Sequence, residues 1–97
     1  MRHEIVLAPE AVEDLRSLRA HVRTEVRDML ERHLRHDPHR LTAGGRIKRL
    51  RGLSRPQYRL RVGDLRVFYD VGEGRVHVLA IVAKADAALW LERSGEP

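Results

Sequence analysis

The chain has 97 residues, 42% hydrophobic and 34% charged, with a formal net charge of +5 and no cysteine. That length supports a single domain with one modest core, and the balance of apolar and charged residues excludes a disordered chain. The missing thiols exclude a disulfide framework and a thiolate metal site, and no apolar run approaches the roughly 20 residues that span a bilayer. The N-terminus has no signal-peptide pattern, so the reading is a cytoplasmic protein, not a membrane one. Its positive charge points to an acidic partner, either nucleic acid or an acidic protein.

The chain opens with His3–Ala8, HEIVLA, a short strand that places Ile5 and Leu7 on one face. Pro9 suits the first turn of a helix, where its missing N–H goes unused. Glu10, Glu13 and Asp14 suit the positive end of that helix's dipole. Val12, Leu15 and Leu18 then give one buried stripe. A second helical pattern runs through Val22, Val26, Met29 or Leu30, and Leu34, and should stop near Asp37-Pro38, because proline disfavours helix in the residue before it. Two such helices with a short connection form a hairpin suited to cover one face of a sheet. His36–Gly45 reads as a loop. Arg46–Leu53, RIKRLRGL, is a short strand or an extended arm; its spacing does not decide between them.

The stretch Tyr58–Val71, YRLRVGDLRVFYDV, reads as two antiparallel strands joined by a Gly63-Asp64 turn. Side chains alternate along a strand, so Tyr58, Leu60 and Val62 share a face with Leu65, Val67, Tyr69 and Val71. Arg59, Arg61, Arg66, Phe68 and Asp70 take the other face. A small sheet with an apolar back and guanidinium groups on its front is suited to meet phosphate. Glu73-Gly74 marks another turn, and Val76–Ala83, VHVLAIVA, is a near-continuous apolar strand expected to be covered on both sides. Lys84–Arg93 has a helical pattern through Ala88, Leu89 and Trp90, and the last four residues are expected to fray. The layout is α+β: an N-terminal strand and a helical hairpin packed on a small antiparallel sheet, with a short C-terminal helix.

KRLRG at Lys48–Gly52, the hairpin YRLRVGDLRVFYDV and the apolar strand VHVLAIVAK together resemble the RelE/ParE superfamily of type II toxin–antitoxin toxins. The resemblance covers nearly the whole chain, residues 1–97 as one toxin domain, and YRLRVGD-x-RVxY is its most specific part. It implies a small cytosolic toxin held inactive by a cognate antitoxin from the same operon. RelE-like members cleave mRNA in the ribosomal A site, whereas ParE-like members poison DNA gyrase. The first activity is the expectation here; gyrase inhibition, or a non-catalytic antitoxin-binding module, is the alternative.

RelE-like cleavage uses the ribose 2′-OH to attack the adjacent phosphate and needs both charge stabilisation and proton transfer. The resemblance places Arg59, Arg61 and Arg66 where the family's catalytic basic residues lie. Arginine suits the first task, because its planar fork binds phosphate bidentately. It cannot serve as an ordinary general base, because the guanidinium stays protonated. The family often has an arginine just after the last strand and a tyrosine several residues on. Here Lys84 takes the basic place and no tyrosine follows. Lys48, Lys84, His77 and the two tyrosines are the acid–base candidates, and both sites at Arg59 and Arg61 should face solvent. Arg46, Lys48, Arg49 and Arg51 are expected either to track an RNA backbone or to receive acidic side chains of an antitoxin. No cofactor is implied, and His33, His36 and Asp37 do not make a convincing metal set.

Overall fold

The structure, a computed structural model, describes residues 2–41 and 44–97; Thr42 and Ala43 of the expected loop lie outside the described residues. Strand β1 (Glu4–Leu7) leads into helices α1 (Pro9–Arg16) and α2 (Ala20–Leu34). Strands β2 (Ile47–Arg49), β3 (Tyr58–Val62), β4 (Leu65–Gly72) and β5 (Arg75–Ala83) follow. A 3₁₀ turn at Lys84–Asp86 then runs into α3 (Ala87–Ser94). Pro9 opens α1, and α2 stops at Leu34, before Pro38. The undecided segment Arg46–Leu53 is a three-residue strand followed by a turn.

The strands make one sheet in the order β1-β5-β4-β3-β2. Its back carries Leu60, Val62, Val67, Tyr69, Val76, Val78 and Ile81, and these form the core with Ala11 and Leu15 of α1 and Val26, Leu30 and Leu34 of α2. The β3–β4 register is the one the alternation requires, with Leu60 opposite Val67 and Arg61 opposite Arg66. Gly63, at φ 54, supplies the left-handed residue that a two-residue hairpin turn needs.

Two features depart from a simple alternating antiparallel sheet. β1 pairs parallel to β5, with Glu4 opposite Arg75, so the sheet is mixed. Along β5, Phe68 faces Ala80 while Tyr69 faces Val78, which leaves Leu79 as the extra residue of a bulge. The bulge moves the inward positions from Val76 and Val78 to Ile81, and this is why VHVLAIVA lacks a clean period of two. His77 is exposed, so only part of that strand is covered on both sides.

β1 stops at Leu7, and α1 serves the edge of β5 beyond it. Ala8 donates its N–H to the Val78 carbonyl at 2.8 Å, and the Ile81 N–H donates to Asp14 Oδ2 at 2.8 Å. Burial raises the Asp14 carboxyl above its ordinary value, opposed by that hydrogen bond and reinforced by Glu10. A raised folded-state value means that the protonated form is favoured on folding, so this group's contribution is present in acid and is lost as pH rises through the folded value. Asp14→Asn keeps an acceptor for Ile81 and removes the ionisation. It should leave stability unchanged or raise it at neutral pH and flatten the pH dependence above the ordinary carboxylate range. Asp14→Ala orphans the Ile81 N–H and should cost about 1–3 kcal/mol in denaturant unfolding.

The C-terminus is not frayed. Ser54 donates its N–H to the Glu96 carbonyl at 2.8 Å, and the Glu96 N–H donates to the Arg55 carbonyl at 2.7 Å. This strap is reached through Gly95, where a Cβ would lie 2.5 Å from the Leu91 carbonyl oxygen. A polar tail with glycine and proline carries no local signal for a backbone pairing made with a loop so far away in sequence.

Candidate functional site

The front of the sheet gathers cations in register. Lys48 on β2 pairs with Arg59 on β3, and Arg61 on β3 pairs with Arg66 on β4. Paired residues on neighbouring strands share a face, so these four side chains leave the sheet on the same side. Asp70, the carboxylate on this face of β4, is used elsewhere: it sits 3.1 Å from Arg55 Nε and accepts the Gln57 N–H at 2.8 Å.

The four cations are not equivalent. Arg59 is half-buried, and its Nη2 donates to the Gly45 carbonyl at 2.6 Å while its buried Nε has no partner. Gly45 reaches that position at φ 71, and a Cβ there would press on the Lys48 side chain at 3.0 Å. Burial, then Arg66, then Arg61 push the Arg59 guanidinium below its ordinary value. The expectation of a solvent-facing Arg59 is therefore corrected: its own desolvation is the largest cause of that shift. Arg66 is 7% exposed, and its Nη1 donates to the Gly63 and Leu65 carbonyls, each at 2.9 Å. It braces the hairpin turn while adding charge to the cluster. Arg61 is half-buried, and its guanidinium makes none of the described hydrogen bonds.

Beside the cations stands an aromatic pair. Phe68 is fully buried on the front, in register with Arg59. Trp90 of α3 lies flat on it, with ring centroids 4.9 Å apart and planes 3° from parallel, and its Nε1–H donates to Glu10 at 2.6 Å. Trp90 is thus a packing residue that holds α3 against the front. The strand pattern places Phe68 on that face; a lone aromatic among arginines is the signal that something covers it.

Lys84 is exposed at the turn end of the sheet, where its N–H donates to the Asp64 carbonyl at 2.7 Å. With Asp64, Ala83 and Ala85 it lines a shallow cavity of about 460 Å³. Neither tyrosine is placed for acid–base work. They stack on the back at 5.5 Å, and the Tyr69 hydroxyl, pushed far above its usual value by burial, donates to the Pro38 carbonyl. His77 faces Asp70, at the opposite end of β4 from the Arg61–Arg66 pair. Lys48 is the titratable group that remains beside the arginines.

The basic segment is divided rather than continuous. Lys48 projects to the front, while Arg49 turns to the back, 5.3 Å over the Tyr58 ring, and donates to the Gln57 carbonyl at 2.7 Å. Arg46 reaches the Arg61 carbonyl at 3.5 Å, and Arg51 is exposed in the turn after β2. A single RNA strand lying on one face does not meet all four. Among the described residues no cluster of His, Asp or Glu is arranged to hold a metal ion, and no helix is long and apolar enough to cross a membrane.

Residues 5–87 match the model of a family described as ParE toxin of type II toxin–antitoxin system, parDE. No curated protein matches the sequence. Among solved structures, the fold is similar to the RelBE2 toxin–antitoxin complex from Mycobacterium tuberculosis, with a TM-score of 0.73 at 22% identity over 89% of this chain and 95% of that one. It is also similar to a mutant of E. coli toxin RelE in the free state, with a TM-score of 0.70 at 19% identity over 97% and 99% of the two chains. The archaeal RelE–RelB complex from Pyrococcus horikoshii gives 0.63 at 26% identity over 87% and 97%.

Proposed function

This chain belongs to the ParE toxin family of type II toxin–antitoxin systems, and from that premise we propose that it arrests growth by cutting messenger RNA on the ribosome. The supporting observation is the Arg61 guanidinium, which makes none of the described hydrogen bonds, beside a partly desolvated Arg59 on a face whose β4 carboxylate, Asp70, is held by Arg55 and Gln57. A cation already stripped of water gains more from a phosphate than a solvated one does. In cleavage, the 2′-oxygen bonds to phosphorus as the 5′-oxygen leaves, and charge builds on the non-bridging oxygens. Arg59 and Arg61 are placed to receive that charge, with Arg66 adding to the field from its brace. Lys48 is the residue here for the proton exchange, and the ribosome supplies the alignment of 2′-oxygen and phosphorus, an effect worth several kcal/mol.

The natural partner under this reading is a cognate antitoxin, as in the RelBE2 and RelE–RelB complexes, and the site of action is the cytoplasm. An acidic antitoxin segment laid over the front would neutralise the same arginines that a phosphate needs. Gyrase inhibition is the second reading, favoured by one observation: none of the described hydrogen bonds or ion pairs joins an imidazole, a phenol or a carboxylate to Arg59 or Arg61. Expression without antitoxin separates the two. Messenger RNA ends mapped within codons on ribosomes, with early loss of protein synthesis, are the expected result. Early gyrase-dependent DNA breaks with intact ribosome-bound mRNA would overturn the nuclease reading. Neither effect, with antitoxin binding retained, would identify a non-catalytic module.

A further inference from the structure

A second basic site lies on the other side of the β2 edge. The C-terminal turn of α2 contributes Arg32 and His33, and the loop after it contributes His36, Asp37 and Arg40. Together with Ile47 of β2 they line a pocket of about 220 Å³. Ile47 is buried in the back core, so this pocket opens on the helix side of the sheet, whereas Lys48 projects to the front. The pocket is therefore separate from the arginine cluster, with the thickness of an edge strand between them.

The charges around it are unbalanced. Arg32 and Arg40 are exposed and take part in none of the described ion pairs, which join Arg16 with Glu13, Arg35 with Glu31 and Arg55 with Asp70. Asp37 is the lone carboxylate in the lining. His33 is pushed below the ordinary imidazole value by burial first, then by the neighbouring charges of Arg46 and Arg32. The α2 dipole accounts for some of this charge, since cations favour the C-terminal end of a helix. It does not account for Arg40, which lies beyond the helix, nor for a concave lining. Two guanidinium forks and two imidazoles around a pocket of this size suit a tetrahedral oxyanion.

We propose that the pocket lined by Arg32, His33, His36 and Arg40 is a second phosphate-binding site, taking a phosphate group of a nucleotide or polynucleotide. It does not depend on whether the front cluster cuts RNA. The shared chemistry has two sources, a free nucleotide and the backbone of an RNA strand that crosses the β2 edge from the front cluster.

The test is a residue-resolved NMR titration of the full chain with sulfate, with uridine monophosphate and with a short RNA carrying a 2′-deoxy block. Potassium chloride at matched ionic strength is the control. The expected result is saturable shifts at His33, His36 and Arg40 as well as at Arg59 and Arg61. The Arg32→Ala/Arg40→Ala double variant should lose the first set and keep the second. If RNA is the source, the double variant should bind the short RNA about tenfold more weakly, and its log affinity against log salt should flatten by about 0.7 for each phosphate that no longer meets a cation. If a free nucleotide is the source, the pocket shifts with uridine monophosphate should saturate while the RNA affinity of the variant matches the parent. Sulfate does not titrate in the working range, so its binding to the pocket should tighten as pH falls below the ordinary imidazole value and His33, held low by burial, Arg46 and Arg32, takes up its proton. Shifts confined to the front, or a double variant that loses stability yet binds every probe as the parent does, would show that these cations only cap α2 and would overturn the site.

Discussion

Arg61→Ala should lose most of its toxic activity while remaining at least as stable as the parent. Arg61 has a free guanidinium on the front, and its charge adds to the forces that hold Arg59 below its ordinary value. Under the proposed nuclease reading, removing it takes away one fork for the developing phosphate charge, about 3 kcal/mol or 10²-fold in rate. Removing it also relieves like-charge repulsion, so the melting temperature should hold or rise. A variant that fails to fold, or one that arrests growth as the parent does, would remove Arg61 from the site. Arg61→Lys should fall between the two, because it keeps the charge and loses the bidentate geometry. Arg66→Ala is a poorer probe: its guanidinium braces the Gly63 and Leu65 carbonyls, so lost activity there would be mixed with a loosened turn.

Phe68→Ala should give the largest loss of stability. The ring is fully buried, and removing it leaves a cavity under Trp90, a change that costs about 3–5 kcal/mol. Against a total of roughly 5–15 kcal/mol for a domain, that is a large fraction. The chain has 1 tryptophan, so emission reads α3 alone. The variant should shift that emission to the red before global unfolding, as α3 leaves the front. A blue-edge spectrum retained up to a single cooperative transition would show that Glu10 and the strap hold α3 without the stack.

The hairpin and both helices are legible in the sequence because their signals are local. Alternation in YRLRVGDLRVFYDV sorts core from front residue by residue, and Pro9 and Pro38 bracket the helical pair. The features without a local signal join residues distant in sequence. Nothing near Ile5 says that β1 lies parallel to β5, and nothing in SGEP marks the pairing with Ser54 and Arg55. Leu79 hides its bulge because every neighbour is apolar. At the site, the strand period puts Arg59, Arg61 and Arg66 on one face. It does not say that Arg66 turns back on the hairpin carbonyls, or that Gly45 offers its own to Arg59. Those are side-chain and loop choices that the period of a strand does not encode.

The same long-range closures bear on how the protein folds. β5 sits between β1 and β4, and the strap joins Ser54 to Glu96, so the sheet is closed by pairings between residues far apart in sequence. Non-local pairings of this kind form late, after loop-closure entropy has been met. Until β5 has paired, the arginine hairpin lacks the strand that supports β4. The arginines of that hairpin are thus held on a firm face only in the completed sheet.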